Sequence, residues 1–587
     1  MGEASAAERP TVIRPKRNAF LAAVVLAALL GAYGEGTTPA PAAPPAAPPA
    51  TVLSARSFGT VGDGLADDGP AIGRMMQAAG NKNGVSFAFD KNRVYRIKTP
   101  PGDSPWVFTW AGRTDVTFDG GGSVFLLDPA VRFMKVERCV NVTVRNLAVD
   151  YDPLPFAEGT VIAKDPVART LDVRIAAGFA LPPLGGPTRE REQSYFAMLW
   201  LTDATGRRSS AHYSVEDMTE ASPGSLRERI VRVSAGKSGG HVPDFGAIVP
   251  GETRITLPVR GVAHRMAAAP NGHVTLLLDE NKTLLFEDIA IWSAPLFAAG
   301  VLRNEGACTF RRFNIQPKPN SGRVTSSWRD GFHVKGNRAK LLWEDCRLEG
   351  MNDDAFNIST HAAGVTKVLS EKEWVIRQIY PLNVMDYRPG DTVLIVDDER
   401  GTALGRAKVL EGGMPPMNER GYAQDLRIKV DAPVAGVRKG CRLWNETASN
   451  PGAAIRRCQV FMSCRFQSPD LLIESCEFNT LAWFYGEYVE GPMPVRLTAK
   501  DTRFTVGRGN AQRAVIVGGR LRGKAGQAPV PEKPIIEYAG FLNCQIAGEL
   551  VCEDVAAVDL TGTRFIPPRG RFVETRCGKV TARPAGK

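Results

Sequence analysis

Two pentapeptides near the middle of the chain, Asp330-Gly331-Phe332-His333-Val334 and Asp354-Ala355-Phe356-Asn357-Ile358, share one pattern and begin 24 residues apart (354 − 330). Short strand-like runs fill the interval. Repetition at such a period predicts one coil of a solenoid lying on the next. Equivalent positions in stacked strands sit about 4.7–4.9 Å apart. Asp330 is thereby placed beneath Asp354, with Asp353 beside them at the strand entrance. Three carboxylates on two adjacent coils form a candidate acid/base site.

The same kind of repeat recurs along the chain. Val144–Val149 aligns with Phe286–Ile291, Phe310–Ile315, Trp343–Leu348, Ile473–Phe478 and Ala499–Phe504, with partial copies at Asn543–Ile546 and Thr561–Phe565. Each copy alternates apolar and polar residues with period two, which sends one set into the coil and the other out. The expected fold is all-β: a right-handed parallel β-helix with small antiparallel β-barrel-like modules inserted between coils. In this register Cys346, Cys476 and Cys544 share a column with Leu147, Ile289 and Phe313. A buried thiol behaves as a small hydrophobe, so these three are expected to be free core residues. The ten cysteines and six histidines contain no cluster with metal-ligand spacing, and no metal is expected.

Both ends and two internal stretches depart from the repeat. Arg14, Lys16 and Arg17 precede an apolar run from Ala19 to Tyr33 and then an Ala/Pro tract, the pattern of an export signal followed by an extended linker. Ala55 to Gly80 reads as a strand, a turn and a capping helix. Asp67 and Asp68 there are a helix N-cap pair, favoured by the helix dipole, and not a catalytic pair. Two stretches, 159–272 and 366–447, hold strand-like runs with Gly/Pro-rich turns and read as inserted modules. The resulting division is a signal segment (1–34), a linker (35–52), a cap with the first coils (53–158), an insert (159–272), the central coils with the aspartates (273–365), a second insert (366–447) and the C-terminal coils (448–587). The second insert leaves soon after Asp354 and is expected to wall the site.

Composition limits the function classes. Of 587 residues, 43% are hydrophobic, enough to bury a core, and the net charge of +11 is scattered with no basic stripe interleaved with aromatics. Nucleic acid is therefore not an expected partner, and no membrane insertion beyond the signal segment is expected. The chemistry at the centre suits glycoside hydrolysis, in which one carboxylic acid protonates the leaving oxygen and another carboxylate activates water or attacks the sugar. Asp353 and Asp354 reach one groove only if Asp353 lies in the turn before the strand, which Gly350, Met351 and Asn352 permit. Aspartates at solenoid turns also accept backbone hydrogen bonds, and a ladder of them can hold Ca²⁺. Downstream, Trp483, Tyr485, Glu487 and Glu490 offer stacking faces and hydroxyl acceptors for a sugar. His333 is placed beside the Asp330 column as a substrate contact or a ladder partner of Asn357, and Arg329 and Lys335 flank the same strand.

The segments NVTVRNLAVDYDPLPFAEGTV (Asn141–Val161), WRDGFHV and EGMNDDAFNI together resemble glycoside hydrolase family 110, over roughly residues 55–566. The opening segment also resembles the capped start of pectin-lyase-like β-helices. The family resemblance implies an exported, inverting, exo-acting α-1,3-galactosidase-like enzyme that takes a glycan or oligosaccharide and needs no cofactor. It implies Asp353 as general acid, with Asp354 and Asp330 activating water. The trio is also similar to that of polygalacturonases, although the later Gly-His-Gly and Arg-x-Lys motifs of that family are not evident. One departure stands out: Val460-Phe461-Met462-Ser463-Cys464-Arg465 occupies the place of an Arg-Ala-Arg-Gly-like run, which puts sugar specificity in question. The alternatives are an enzyme cleaving an acidic polysaccharide, by hydrolysis or elimination, and a catalytically silent glycan-binding solenoid.

Overall fold

The structure is a computed structural model. It describes residues 51–582 apart from 101–103, 183, 186–197, 203–207, 237–244, 260–273, 380–383, 398, 400–401, 420–422, 485–490, 492–494, 507–511, 519–533 and 535. The signal segment and nearly all of the linker lie outside the described residues. Thr51 and Val52, read from sequence as linker, already belong to the first strand, Thr51–Ser54, which pairs in parallel with Val85–Ala88.

The chain winds into the expected right-handed parallel β-helix. Among the described residues, one wall is an eleven-stranded sheet running from Trp106–Ala111 to Arg571–Thr575. The rest of each coil joins a second sheet, as one long strand in the earlier coils (Val140–Tyr151, Lys282–Ile291, Glu305–Ile315) and mostly as two short strands in the later ones, bent at one recurrent position. Asn146, Asp288, Arg312, Asp345, Arg457, Ser475, Asp501 and Asn543 all sit at that bend with φ between 48° and 59°. Left-handed backbone is unfavourable for a side chain as large as arginine. Stacked ion pairs help to offset that cost: Arg312 Nε donates to Asp288 Oδ1 at 2.6 Å, and Arg457 Nε to Asp345 Oδ1 at 2.8 Å.

The predicted repeats stack in the predicted register. Val144 pairs with Phe286, Phe286 with Phe310, and Phe310 with Trp343. Their side chains fill one continuous core in which Phe286, Phe310 and Trp343 stack with ring centroids 5.9 and 5.6 Å apart. Sequence alignment missed one coil. Ile455-Arg456-Arg457-Cys458-Gln459-Val460 lies between the Trp343 and Ile473 repeats and pairs with both. It comes 112 residues after Trp343 (455 − 343) and only 18 before Ile473 (473 − 455), so no constant spacing announces it. All ten cysteines are free, and all but Cys577 are buried. Cys346, Cys458 and Cys476 form a thiol column in which each backbone N–H reaches the next sulfur (3.4 and 3.3 Å).

Each inserted module closes into a six-stranded antiparallel barrel, one spanning Phe156 to Pro258 and the other Ala363 to Asn445. Each has its own apolar core. The capping helix, Gly69–Ala79, lies over the first coil and buries Ile72, Met75 and Ala79. Asp68 is its N-cap residue but turns its carboxylate toward Val61 N–H (2.6 Å) and Gly62 N–H (3.2 Å). Asp67 accepts from the helix instead, at Gly69 N–H (3.1 Å).

Candidate active site

The short strands Phe332–Lys335 and Phe356–Ser359 stack as the pentapeptides require, with Phe332 on Phe356 and His333 on Asn357. Gly331 makes the close approach possible: a Cβ there would meet Ala355 O at 2.8 Å and Met351 Cε at 3.0 Å. Ser327 bridges to Met351, which places Asp330 under Asp354 and Arg329 under Asp353. Asp353 lies in the bend before the strand, as one shared groove demands. Oxygens from Asp330, Asp353 and Asp354 all lie within 4.8 Å of one another. A single water can bridge such a gap.

Different partners hold the three carboxylates. Asp330 is buried, with Oδ2 2.7 Å from His333 Nδ1. Asp353 is the most accessible of the three, its side chain 28% exposed, and pairs with Arg329 Nη2 at 3.0 Å. Asp354 Oδ1 accepts from Ser463 Oγ at 2.9 Å, and its Oδ2 lies 3.5 Å from Arg465 Nε. Phe297 steadies the lower layer: its ring centroid is 4.6 Å from that of His333 and 5.7 Å from the Arg329 guanidinium carbon. Burial pushes the Asp354 carboxyl well above its ordinary range; Arg465 and Ser463 oppose the rise, while the charges of Asp353 and Asp330 add to it. The empty trio therefore favours a state that retains a proton.

The stretch Val460–Arg465, noted in the sequence for departing from the expected run, supplies the upper layer of the site. Cys464–Phe466 pairs with Phe356–Ile358, and Ser463 O accepts from Ala355 N–H at 2.7 Å. Sequence reading placed this stretch on the coil after the aspartate pair but did not connect Ser463 and Arg465 to Asp354, because the Ile455–Val460 repeat that sets their register was not aligned. On the outer face of the sheet His333, Asn357, Arg465 and Trp483 form a continuous row. Trp483 thus stands beside Arg465, one coil further from the aspartates. Tyr485, Glu487 and Glu490 lie outside the described residues. Lys335 is not a surface contact: it is fully buried, with Nζ 2.6 Å from Asn357 Oδ1 and bonded to Ser359 Oγ.

The walls also differ from expectation. The first barrel, not the second, packs at the aspartate end of these strands. Its Glu158 carboxylate accepts from Val324 and Thr325 N–H (3.0 and 2.9 Å), and its Phe156 packs with Leu296 and Trp328. The second barrel sits at the opposite strand end, where Arg338 pairs with Asp386 and Asp391 and Arg303 Nη1 donates to Val384 O. It leaves the coil after Ser359, and the intervening extended segment carries the chain about 16 Å from Asp354.

Three carboxylate oxygens at this spacing are also a donor set that suits a hard divalent cation. Arg329 and Arg465 lie within ion-pairing distance and already answer part of that negative charge. The arrangement is thus equipped for proton transfer without an added ion.

No family model matches the chain. Over 443 residues it is 22% identical to an α-1,3-galactosidase B of Bacteroides thetaiotaomicron, a match covering 70% of this chain and 67% of that protein. The chain is a homologue of proteins named α-1,3-galactosidase. A second relative, an α-1,3-galactosidase A of Shewanella woodyi, is 22% identical over 382 residues, 59% of this chain and 57% of the relative. By name these relatives are glycoside hydrolases. The matches span 50–67% of the length of the first three relatives. Among solved structures, a family 28 exopolygalacturonase of Yersinia enterocolitica aligns at a TM-score of 0.36 and 10% identity, covering 92% of this chain and 79% of that one.

Proposed function

We propose that the chain is an exported, inverting, exo-acting α-1,3-galactosidase-like hydrolase whose acid and base are the stacked aspartates. The observation that carries this reading is the meeting of three carboxylates within 4.8 Å on two coils, one of them raised by burial. Asp353, the most accessible, protonates the leaving oxygen. Asp354 and Asp330 hold and deprotonate the water, after the proton stored at Asp354 has passed to Asp353 through a water bridging oxygens that lie within 4.8 Å. His333 orients Asp330, and Trp483 offers a stacking face beside Arg465. Protonating the leaving oxygen and activating water need no cofactor. Spacings of about 6.5–9.5 Å between acid and base carboxyls are usual for inversion. About 5–5.5 Å is usual for retention, and oxygens within 4.8 Å lie nearer that value, so inversion here rests on the family resemblance and is tested by the product anomer.

A second reading is favoured by Arg329 and Arg465, two guanidinium groups beside the aspartates that would also suit a uronate. It makes the protein an acidic-polysaccharide hydrolase. Incubation with α-1,3-linked galactosyl oligosaccharides beside polygalacturonate, with chromatography of the products, separates the two. Release of galactose supports the first reading. Cleavage of polygalacturonate alone transfers the site to the second, and silence on both leaves a glycan-binding solenoid.

A further inference from the structure

A second site lies at the capped end of the solenoid. The inner turn of the coils carries a ladder of buried amides. Cys139 N–H donates to Asn281 Oδ1 (2.9 Å), Asn281 N–H to Asn304 Oδ1 (2.9 Å), Asn304 N–H to Asn337 Oδ1 (2.8 Å) and Asn337 Nδ2 to Asn450 Oδ1 (2.8 Å). Every rung is answered by the next. Arg113 occupies the terminal rung, its backbone N–H on Cys139 Sγ at 3.4 Å. Only 5% of this arginine is exposed, and neither Nε nor Nη1 has a hydrogen-bond partner among the described residues. Burial pushes its guanidinium below the ordinary value. A buried cation without a counter-charge is costly, and ladder geometry does not require a cation in this position.

Arg113 lines a cavity of about 590 Å³ between the Gly69–Ala79 helix and the Trp106–Ala111 strand. None of the described lining residues is acidic, and a second cation, Arg74, stands at the exposed helix face with Nη2 on Phe58 O. Met76, Trp106 and Val107 supply apolar surface, and Gln77, Asn81 and Thr109 supply groups able to bond hydroxyls. We propose that this cavity binds a sugar residue bearing an oxoanion, a carboxylate or a sulfate ester, with the anion on Arg113 and the ring against the apolar wall. A planar or tetrahedral oxoanion in the cavity supplies the counter-charge that the guanidinium lacks among the described residues, and the mixed lining suits a sugar more than a bare ion. The site is four strands along the sheet from Phe332–Lys335 and independent of the hydrolytic reading.

Isothermal titration of the full chain at low ionic strength with D-galacturonate, galactose 6-sulfate, galactose and inorganic sulfate tests the proposal. Binding of either anionic sugar, with galactose inert, is expected, and the arm that binds identifies the anion. Arg113→Met should weaken that binding by about thirtyfold or more, while its melting temperature without ligand stays level or rises. Thr109→Trp, which narrows the cavity from an exposed position, should weaken binding with Arg113 intact. Asp353→Asn should leave it unchanged. Failure of both anionic sugars to bind overturns the proposal, as does undiminished binding by Arg113→Met. Inorganic sulfate binding as tightly as the sugars, an adventitious ion only, overturns it too. A large fall in the melting temperature of Arg113→Met would show that water already satisfies the guanidinium within the fold and would overturn the proposal as well.

Discussion

The two ends of the Phe332–Lys335 strand stack side chains at the same spacing with opposite results. At one end Asn281, Asn304, Asn337 and Asn450 rise one above another. Each amide carries both donor and acceptor, so each satisfies its neighbour. At the other end Asp330 lies beneath Asp354 with Asp353 alongside. Carboxylates carry acceptors only, so stacking brings repulsion, raised proton affinity and a need for partners from other coils. His333, Arg329, Ser463 and Arg465 meet that need. Stacking neutral, self-complementary groups strengthens the coil, and stacking like charges stores reactivity in it. The barrels follow the same division: the first packs at the aspartate end and the second braces the ladder end.

The contrast can be tested by exchanging the character of single rungs. The largest effect is expected from Asp353→Asn, which should cost about 10²–10⁴ in turnover while leaving the melting temperature nearly unchanged, since the side chain sits in a surface bend. Kinetics and calorimetry on the same preparation check both halves. At the ladder end the effect reverses in kind. Asn304→Leu strands the Asn281 N–H and takes the side-chain donor from the Leu278 carbonyl, both buried, while Asn281 Nδ2 keeps its bond to Val136 O. A loss of about 3 kcal/mol or more in denaturant unfolding is expected.

A smaller and pH-dependent effect is expected at Asp354. Its folded-state pKa is raised, so the native protein binds more protons than the unfolded chain between the two values. Stability from this group is full below the unfolded value and falls as pH rises through the folded one. Asp354→Asn should therefore be more stable than the parent above that pH. The advantage should shrink as pH falls toward the ordinary carboxylate range. Melting curves of parent and variant across pH check the sign. The smallest effect belongs to the thiols: with all ten cysteines free, a reducing agent should leave the melting temperature unchanged.

Much of this was legible in the sequence because the coil imposes a short grammar. Two pentapeptides 24 residues apart (354 − 330) placed Phe332 on Phe356 and the aspartates in one cluster, since strand stacking converts sequence spacing directly into contact. The column of Cys346 and Cys476 followed from the same register. The coil at Ile455–Val460 was not legible, because the barrel before it breaks the count of residues per turn. With its register was lost the contact of Ser463 and Arg465 with Asp354, although their stretch was placed on the following coil. Which barrel walls the aspartates was also hidden. Sequence proximity pointed to the second barrel, yet a strand of four residues carries the chain to the far end before that barrel begins. The buried role of Lys335 was equally invisible, because the polar groups that receive it belong to the neighbouring coil.

The most direct test of the central claim is proton NMR of the first minutes of reaction with an α-1,3-linked galactosyl disaccharide. The account predicts β-galactose as the first product from the parent protein and none from Asp353→Asn. Appearance of α-galactose first, or equal release by the variant, would contradict it.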